Sequence, residues 1–141
     1  MARIEYYDGL QHTPAIPILV QGWHELLLAG KADNVCIINW DHHALVMFKD
    51  DDPVSVISFN VAKWVKTAYI QIGYTKPAYR KLGLYRMLWV KLIEKCQELE
   101  LAIIEGGTHL DNTESRAMMA ALGRREFSVF TRFNVPPKPK P

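Results

Sequence analysis

"PAYRKLGLYRML", residues 77–88, lies where an apolar segment is followed by a segment with helical periodicity. The first backbone N–H groups of a helix have no partner within the helix, and the helix dipole adds partial positive charge there. Gly83 would let an anion approach the backbone without a Cβ in the way, and Arg80 and Lys81 add formal charge. The stretch therefore predicts an anion site, although a helix start with solvated basic side chains has the same pattern.

Strands are predicted on the N-terminal side of this stretch. Period-two alternation and β-branched residues indicate them over residues 2–8, 44–49, 54–61 and 67–75. Residues 35–40 are a further strand, or form one bent strand with residues 44–49. The spacing through residues 44–75 predicts an antiparallel meander.

Helices alternate with strands in the rest of the chain. Capping residues or an i, i+4 apolar stripe predict helices from Thr13 or Pro14 to Gly30, from about Arg80 to Leu99, and from Asp111 or Asn112 to Gly123. Residues 101–107 are apolar on both faces, which is typical of a central strand covered on both sides, and residues 126–135 predict a final strand. This order predicts an α+β fold with a mixed, mainly antiparallel sheet flanked by helices. We expect one domain over residues 1–135 and a flexible tail over 136–141.

Composition and charge exclude several classes of function. The chain has 141 residues and a formal net charge of +2, which does not favour a nucleic-acid partner. No apolar run reaches the roughly 20 residues of a membrane span, and the charged N-terminus predicts no signal peptide and a cytoplasmic location. His42 and His43 are adjacent and therefore point apart, so we predict no metal site.

The stretch "YTKPAYRKLGLYRMLWVKLIE" resembles the acyl-CoA-binding motif of the GNAT superfamily of N-acetyltransferases. The residues that carry the resemblance are Pro77, Tyr79, Arg80 and Gly83. The family's second cue is an asparagine that opens the next helix and a Leu-Gly-Phe sequence that ends it; this chain has Asn112 and Leu122-Gly123-Arg124. The resemblance implies a GNAT-like fold and acetyl-CoA as co-substrate. It also implies transfer of the acetyl group to a primary amine by direct attack in a ternary complex.

The resemblance also implies the cofactor-binding residues. The backbone from Gly73 through Tyr74 to Thr75 would pair with the pantetheine arm, and an amide near Gly73 or Tyr74 would polarise the acyl carbonyl. Asn112 would lie near the pantetheine or the thioester. The pyrophosphate would be bound by the consecutive amides of Arg80, Lys81, Leu82, Gly83, Leu84 and Tyr85.

Two residues depart from the family pattern. Tyr85 stands where glycine or alanine is usual, so its ring either lines the cofactor groove or crowds the phosphates. Met119 stands where many members have a tyrosine that protonates the leaving thiolate, and methionine cannot donate a proton. A thiol of pKa about 8.5 is a tolerable leaving group, so the loss of this acid does not exclude catalysis.

Residues for proton transfer are less clearly indicated. Glu105 ends an apolar strand and is the best carboxylate for a general base, with Tyr74 as a second catalytic candidate. Glu105 could instead pair with an arginine or face solvent. Arg124 and Arg125 are predicted to be a solvated helix end. No cysteine is placed as a nucleophile, which favours direct attack.

Two functions follow from the sequence. The first is an acetyl-CoA-dependent N-acetyltransferase whose acceptor is a small-molecule or peptide amine. The second is a non-catalytic acyl-CoA-binding or partner-binding protein with the same fold, which Met119 and the absence of a carboxylate on strand 67–75 support. The strand predicted over residues 126–135 could pair with its copy across a homodimer.

Overall fold

The computed structural model describes residues 2–31 and 38–140. Within these residues the strands are Ala2–Asp8 (β1), His43–Lys49 (β2), Asp52–Ala62 (β3), Thr67–Thr75 (β4) and Ile103–Gly106 (β5). The helices are Ala15–Leu28 (α1), Leu84–Glu98 (α2) and Thr113–Ala121 (α3), and 3₁₀ turns span Lys63–Val65 and Pro77–Tyr79.

The strands form one sheet in the order β1-β2-β3-β4-β5. The first three pairs are antiparallel and β4 pairs with β5 in parallel. The predicted α+β fold with a mixed, mainly antiparallel sheet is therefore confirmed, as is the antiparallel meander. No helix among the described residues is long and apolar enough to cross a membrane.

Each face of the sheet is covered by a different helix. On one face, Ile18 of α1 packs in a cluster with Val46 of β2 and Val56 of β3. On the other face, Leu88 and Leu92 of α2 pack in a second cluster that includes Leu45 of β2. Neighbouring residues of a strand point to opposite faces, so adjacent Leu45 and Val46 enter different cores. The sheet is thus buried on both sides in its middle.

A bulge in β4 changes which side chains face which helix. Ser58 pairs with Ile72 and Phe59 with Ile70, so Gln71 is an extra residue in the ladder. Ile70 belongs to the α2 cluster, whereas Ile72 belongs to the α1 cluster. After the bulge, the even-numbered side chains of β4 therefore face α1, whereas before it they face α2.

Three predictions about the elements are wrong. The helix predicted from Arg80 begins at Leu84, because Lys81 and Gly83 have positive φ angles of 63° and 77° that a helix does not allow. The strand within 101–107 lies at the edge of the described sheet and not at its centre, with Ile103 46% exposed. Residues 38–40 form no strand, and residues 35–37 of that prediction lie outside the described residues.

The strand predicted over residues 126–135 is also wrong. This segment has no strand structure, and its large apolar side chains are 63–87% exposed: Phe127, Val129, Phe130, Phe133 and Val135. Alternation shows only that a segment could pair, because a strand also needs a neighbouring backbone edge to bond with. Its pairing across a homodimer stays a prediction.

Candidate functional site

The candidate site lies where β4 and β5 separate. The two strands pair from Thr67 opposite Ile103 to Ile70 opposite Gly106, and there the ladder ends. Beyond Ile70, no described residue pairs with the edge of β4 that faces away from β3. This opening, which we call the β4–β5 gap, exposes a strand edge inside the fold.

Hydrogen bonds show which backbone groups of β4 face the β4–β5 gap. The Ile72 amide donates to the Ser58 hydroxyl at 3.2 Å, and the Tyr74 carbonyl accepts from the Ser55 hydroxyl at 3.2 Å. Even-numbered residues after the bulge therefore bond toward β3. Because backbone direction alternates along a strand, the N–H and C=O groups of Gly73 and Thr75 face the gap. An extended ligand could bond to them as a further strand would.

The loop before α2 presents a series of free amides. The Arg80 amide donates to the Pro77 carbonyl at 3.3 Å, and the next amide with a backbone partner is that of Met87, which donates to the Gly83 carbonyl at 3.1 Å. The six N–H groups from Lys81 to Arg86 have no hydrogen-bond partner among the described residues. They border an open cleft of ≈ 260 Å³ that is lined by residues of this loop and by Met118, Ala121 and Leu122 of the α3 end. Unpaired amides at a helix N-terminus form a binding site for anions.

Arg80 connects this loop to α1. Its Nη2 lies 2.7 Å from Glu25 Oε1, and its Nε donates to the Thr75 carbonyl at 2.9 Å. The Tyr74 hydroxyl donates to the other Glu25 oxygen at 2.7 Å. The Arg80 charge is therefore paired within the protein, which leaves the backbone amides of the loop as the anion donors.

These contacts change the titration of Glu25 and Tyr74. The hydrogen bond from Tyr74, together with that from Arg80, holds the pKa of the Glu25 carboxyl below its ordinary value against a smaller effect of burial. Burial, reinforced by the bond to Glu25, raises the pKa of Tyr74 to about 12. The Tyr74 hydroxyl thus stays protonated near neutral pH. It lies with the α1 cluster and is directed at Glu25.

Tyr85 lies against Gly73. A Cβ added at Gly73 would lie 2.7 Å from Tyr85 Cε2 and 2.9 Å from Cζ, which is too close for a real side chain. The glycine on β4 thus makes room for the ring of a residue on α2. The ring lines the cleft, and burial raises the pKa of its hydroxyl.

Arg124 is not a solvated helix end, so the prediction for it is wrong. Gly123, with φ +83°, donates to the Ala120 carbonyl, and the Arg124 amide donates to the Met119 carbonyl, both at 3.0 Å. This Schellman ending returns the chain toward the sheet. Arg124 Nη2 then reaches the Gly106 carbonyl at 3.4 Å, and Nη1 is buried without a partner among the described residues. Arg125 is exposed, as predicted.

Glu105 and Tyr74, the two predicted catalytic residues, lie far apart. Glu105 is opposite Tyr69 in the ladder, so Tyr74 lies five residues, or about 16 Å, further along β4. The two side chains therefore cannot act on one atom together. Glu105 is half-buried and has no hydrogen bond or ion pair with a described residue. Asn112 caps α3, and its side-chain oxygen accepts from the Ser115 amide at 3.3 Å.

His43 and Cys96 are packed against other side chains of the fold. His43 Nδ1 lies 2.6 Å from the Tyr6 hydroxyl, and its ring stacks on Tyr6 and Phe59. In the described part of the chain, no three metal-ligating side chains come together. Cys96 is buried on α2, and burial raises the pKa of its thiol to about 11, so it is a poor nucleophile near neutral pH.

Comparison with known proteins identifies relatives of this fold. The model of the acetyltransferase (GNAT) family matches residues 12–123. An aminoglycoside acetyltransferase from an uncultured soil metagenomic sample superposes with a TM-score of 0.72 at 10% identity, over 96% of this chain and 97% of that one. The aminoglycoside 6'-N-acetyltransferase AAC(6')-Ih of Acinetobacter baumannii gives 0.65 at 16%, over 96% and 100%. A ribosomal-protein-alanine N-acetyltransferase of Brucella melitensis biovar Abortus 2308 gives 0.67 at 12%, over 96% and 99%. No curated protein sequence matches this chain.

Proposed function

Since this chain belongs to the acetyltransferase (GNAT) family and is an acetyl-CoA-dependent N-acetyltransferase, we propose that the β4–β5 gap receives the pantetheine arm and that the acceptor is a small-molecule amine. The observation that carries the cofactor site is the pair of backbone features at the end of β4. One is the free strand edge at Gly73 and Thr75, and the other is the run of unpaired amides before α2. Both features are formed by backbone groups and therefore do not depend on particular side chains.

The pyrophosphate binds to the amides of the loop and of the first turn of α2. Backbone donors suit this task because the positive φ angles of Lys81 and Gly83 turn successive N–H groups toward one side. The dipole of the 15-residue α2 adds partial positive charge at this end. Lys81 is exposed at the rim and supplies a further charge.

The acyl carbonyl binds to a backbone amide of β4. The N–H of Gly73 faces the β4–β5 gap, and Gly73 has no side chain of its own to obstruct a ligand. A donor fixed in a strand stabilises the oxyanion that forms when the amine attacks, because it need not reorganise during the reaction. The amine nitrogen then bonds to the acyl carbon and the C–S bond breaks.

The amine must lose a proton, and Glu105 remains the carboxylate we propose for this step. Its carboxylate is free of partners among the described residues and lies on the strand that borders the β4–β5 gap. Because Gly73 lies about 13 Å further along the ladder than Glu105, proton transfer to Glu105 would pass through water. Cys96 is buried and far from being ionised, which supports direct attack over an acyl-enzyme intermediate.

The choice of acceptor rests on the named neighbours. Two of the neighbours reported above are aminoglycoside acetyltransferases, and each is matched over nearly its whole length. The neighbour named for a ribosomal-protein alanine supports a peptide N-terminus as the alternative. Thiol release from acetyl-CoA should be measured against one panel of aminoglycosides and polyamines and another of peptides with free N-termini. Turnover confined to the peptides would contradict the small-molecule proposal.

The cofactor site is tested by a matched pair of glycine variants. Gly83 and Gly30 both have positive φ angles, 77° and 69°, and a Cβ at either would meet no atom within 4 Å. Gly83→Val and Gly30→Val therefore impose similar backbone strain at two places. We expect calorimetry to show that only Gly83→Val weakens acetyl-CoA binding, by about tenfold or more. Equal affinity in the two variants would contradict the proposed phosphate site.

A further inference from the structure

Arg124 is a half-buried cation at the inner end of the β4–β5 gap. A Cβ added to Gly106, the last residue of the β4–β5 ladder, would lie 2.9 Å from Arg124 Nη2 and 3.1 Å from Ile70 Cβ. The guanidinium therefore lies where the two strands begin to separate. Its carbon is 5.4 Å from the centroid of the Trp89 ring.

The contacts of Arg124 leave its hydrogen bonding incomplete. Nη2 donates to the Gly106 carbonyl in a long bond of 3.4 Å, and Nη1 is buried without a partner among the described residues. The titratable group that faces the guanidinium is the Tyr85 phenol, which is neutral near pH 7; burial lowers the pKa of Arg124, but arginine keeps its charge. A buried donor of a charged group is costly when unpaired. Nη1 therefore has protons that can bond to an acceptor other than the described protein groups.

The position of Arg124 on the chain connects it to the missing acid. Its amide bonds to the carbonyl of Met119, the residue where many relatives have the proton-donating tyrosine. Arg124 itself follows Leu122-Gly123, where those relatives have phenylalanine. The chain thus has no proton-donating side chain at position 119 and has a half-buried cation five residues later.

We propose that Arg124 Nη1 binds the sulfur of coenzyme A and stabilises the leaving thiolate by charge, in place of a proton donor. The inference rests on the proposed acetyltransferase site. When the C–S bond breaks, its electron pair passes to the sulfur, the amine proton goes to water or to Glu105, and Arg124 keeps all its protons. Because the arm comes from the loop before α2, a carbonyl bound at Gly73 would place the sulfur in the β4–β5 gap beside Gly73, where the Tyr85 ring lies. Tyr85, which contacts Gly73 and faces Arg124, is the side chain that the pantetheine arm would displace.

The direct test is the thiol pKa of coenzyme A bound to the wild-type protein, followed by the absorbance of the thiolate. Arg124 should hold this pKa below the ordinary thiol value of about 8.5. Arg124→Met should return it to 8.5 or above, with Arg124→Lys in between. Arg125→Met, which removes the same charge from the exposed neighbour, should leave it unchanged. Desulfo-coenzyme A should bind to wild type and Arg124→Met equally, because it has no sulfur.

Kinetics supply the second readout. Arg124→Met should lower kcat by about 10- to 100-fold while the KM for the amine changes little. A wild-type complex with an ordinary thiol pKa would overturn the inference for Arg124 even if acetyl transfer is observed. Failure of the wild type to bind coenzyme A would overturn the cofactor site itself, together with this inference. The wild-type measurement needs no variant, so a folding defect in Arg124→Met cannot obscure the result.

Discussion

Replacement of Gly73 by alanine tests the contact between β4 and the Tyr85 ring. The new methyl group would lie 2.7 Å from Tyr85 Cε2, whereas carbon atoms in ordinary contact are about 3.5–4.0 Å apart. The ring must therefore move by about 1 Å. Overpacking of this kind costs about 1–3 kcal/mol, and alanine in a strand recovers about 0.5–1 kcal/mol relative to glycine. We expect the free energy of unfolding to fall by about 0.5–2 kcal/mol.

A double-mutant cycle separates this contact from other effects of the methyl group. In a Tyr85→Ala background the methyl group meets no ring, so Gly73→Ala should stabilise that variant by about 0.5 kcal/mol. Denaturant unfolding of the four proteins gives a coupling free energy that we expect to be about 1–3 kcal/mol. Additive effects, with a coupling below about 0.5 kcal/mol, would refute the close packing of Tyr85 on Gly73. Gly107→Ala serves as the control, since its Cβ would lie 3.4 Å from the Tyr69 hydroxyl.

Three further outcomes are expected. The lowered pKa of Glu25 stabilises the fold above the ordinary glutamate pKa of about 4.3, and this stability is lost as pH falls through the lower folded value. Glu25→Gln should therefore reduce the acid-dependent change in the free energy of unfolding by at most about 1 kcal/mol, and it should lower the Tyr74 pKa in a phenol titration. An unchanged dependence of stability on acid pH would contradict the ion pair. In a Cys36→Ser variant, Cys96 should react with a thiol reagent only after unfolding, and rapid labelling of the native protein at pH 8 would contradict its burial. Val129→Ser should change Tm little, because Val129 is 87% exposed, and a clear fall would show that residues 126–135 pack against another surface such as a second copy.

The local pattern of the sequence predicts much of the fold. The strands β2, β3 and β4, the meander that they form and the cap of α3 at Asn112 follow from alternation, turn residues and capping chemistry. These depend on residues close together in the chain, where periodicity is informative. The motif also predicts the loop before α2. The helix begins at Leu84, four residues later than predicted, because Lys81 and Gly83 have positive φ angles.

The candidate site could be predicted only in part. The backbone groups of Gly73 and of the loop before α2 were indicated by the motif, but the partners of its side chains were not. Arg80 pairs with Glu25, which lies 55 residues earlier in the chain, and no local pattern relates the two. The contact between Tyr85 and Gly73 also could not be predicted from the sequence, because it depends on how closely α2 approaches β4.

The sequence by itself determined the class of fold, the family and the position of the phosphate-binding loop, since these are written in periodicity and in one short motif. The tertiary structure alone decided which groups are available for chemistry. It pairs the charge of Arg80, directs the Tyr74 hydroxyl at Glu25 and buries Arg124 Nη1, without a partner among the described residues, at the end of the β4–β5 gap. The physical reason is that desolvation and hydrogen bonding depend on neighbours brought together from distant parts of the chain.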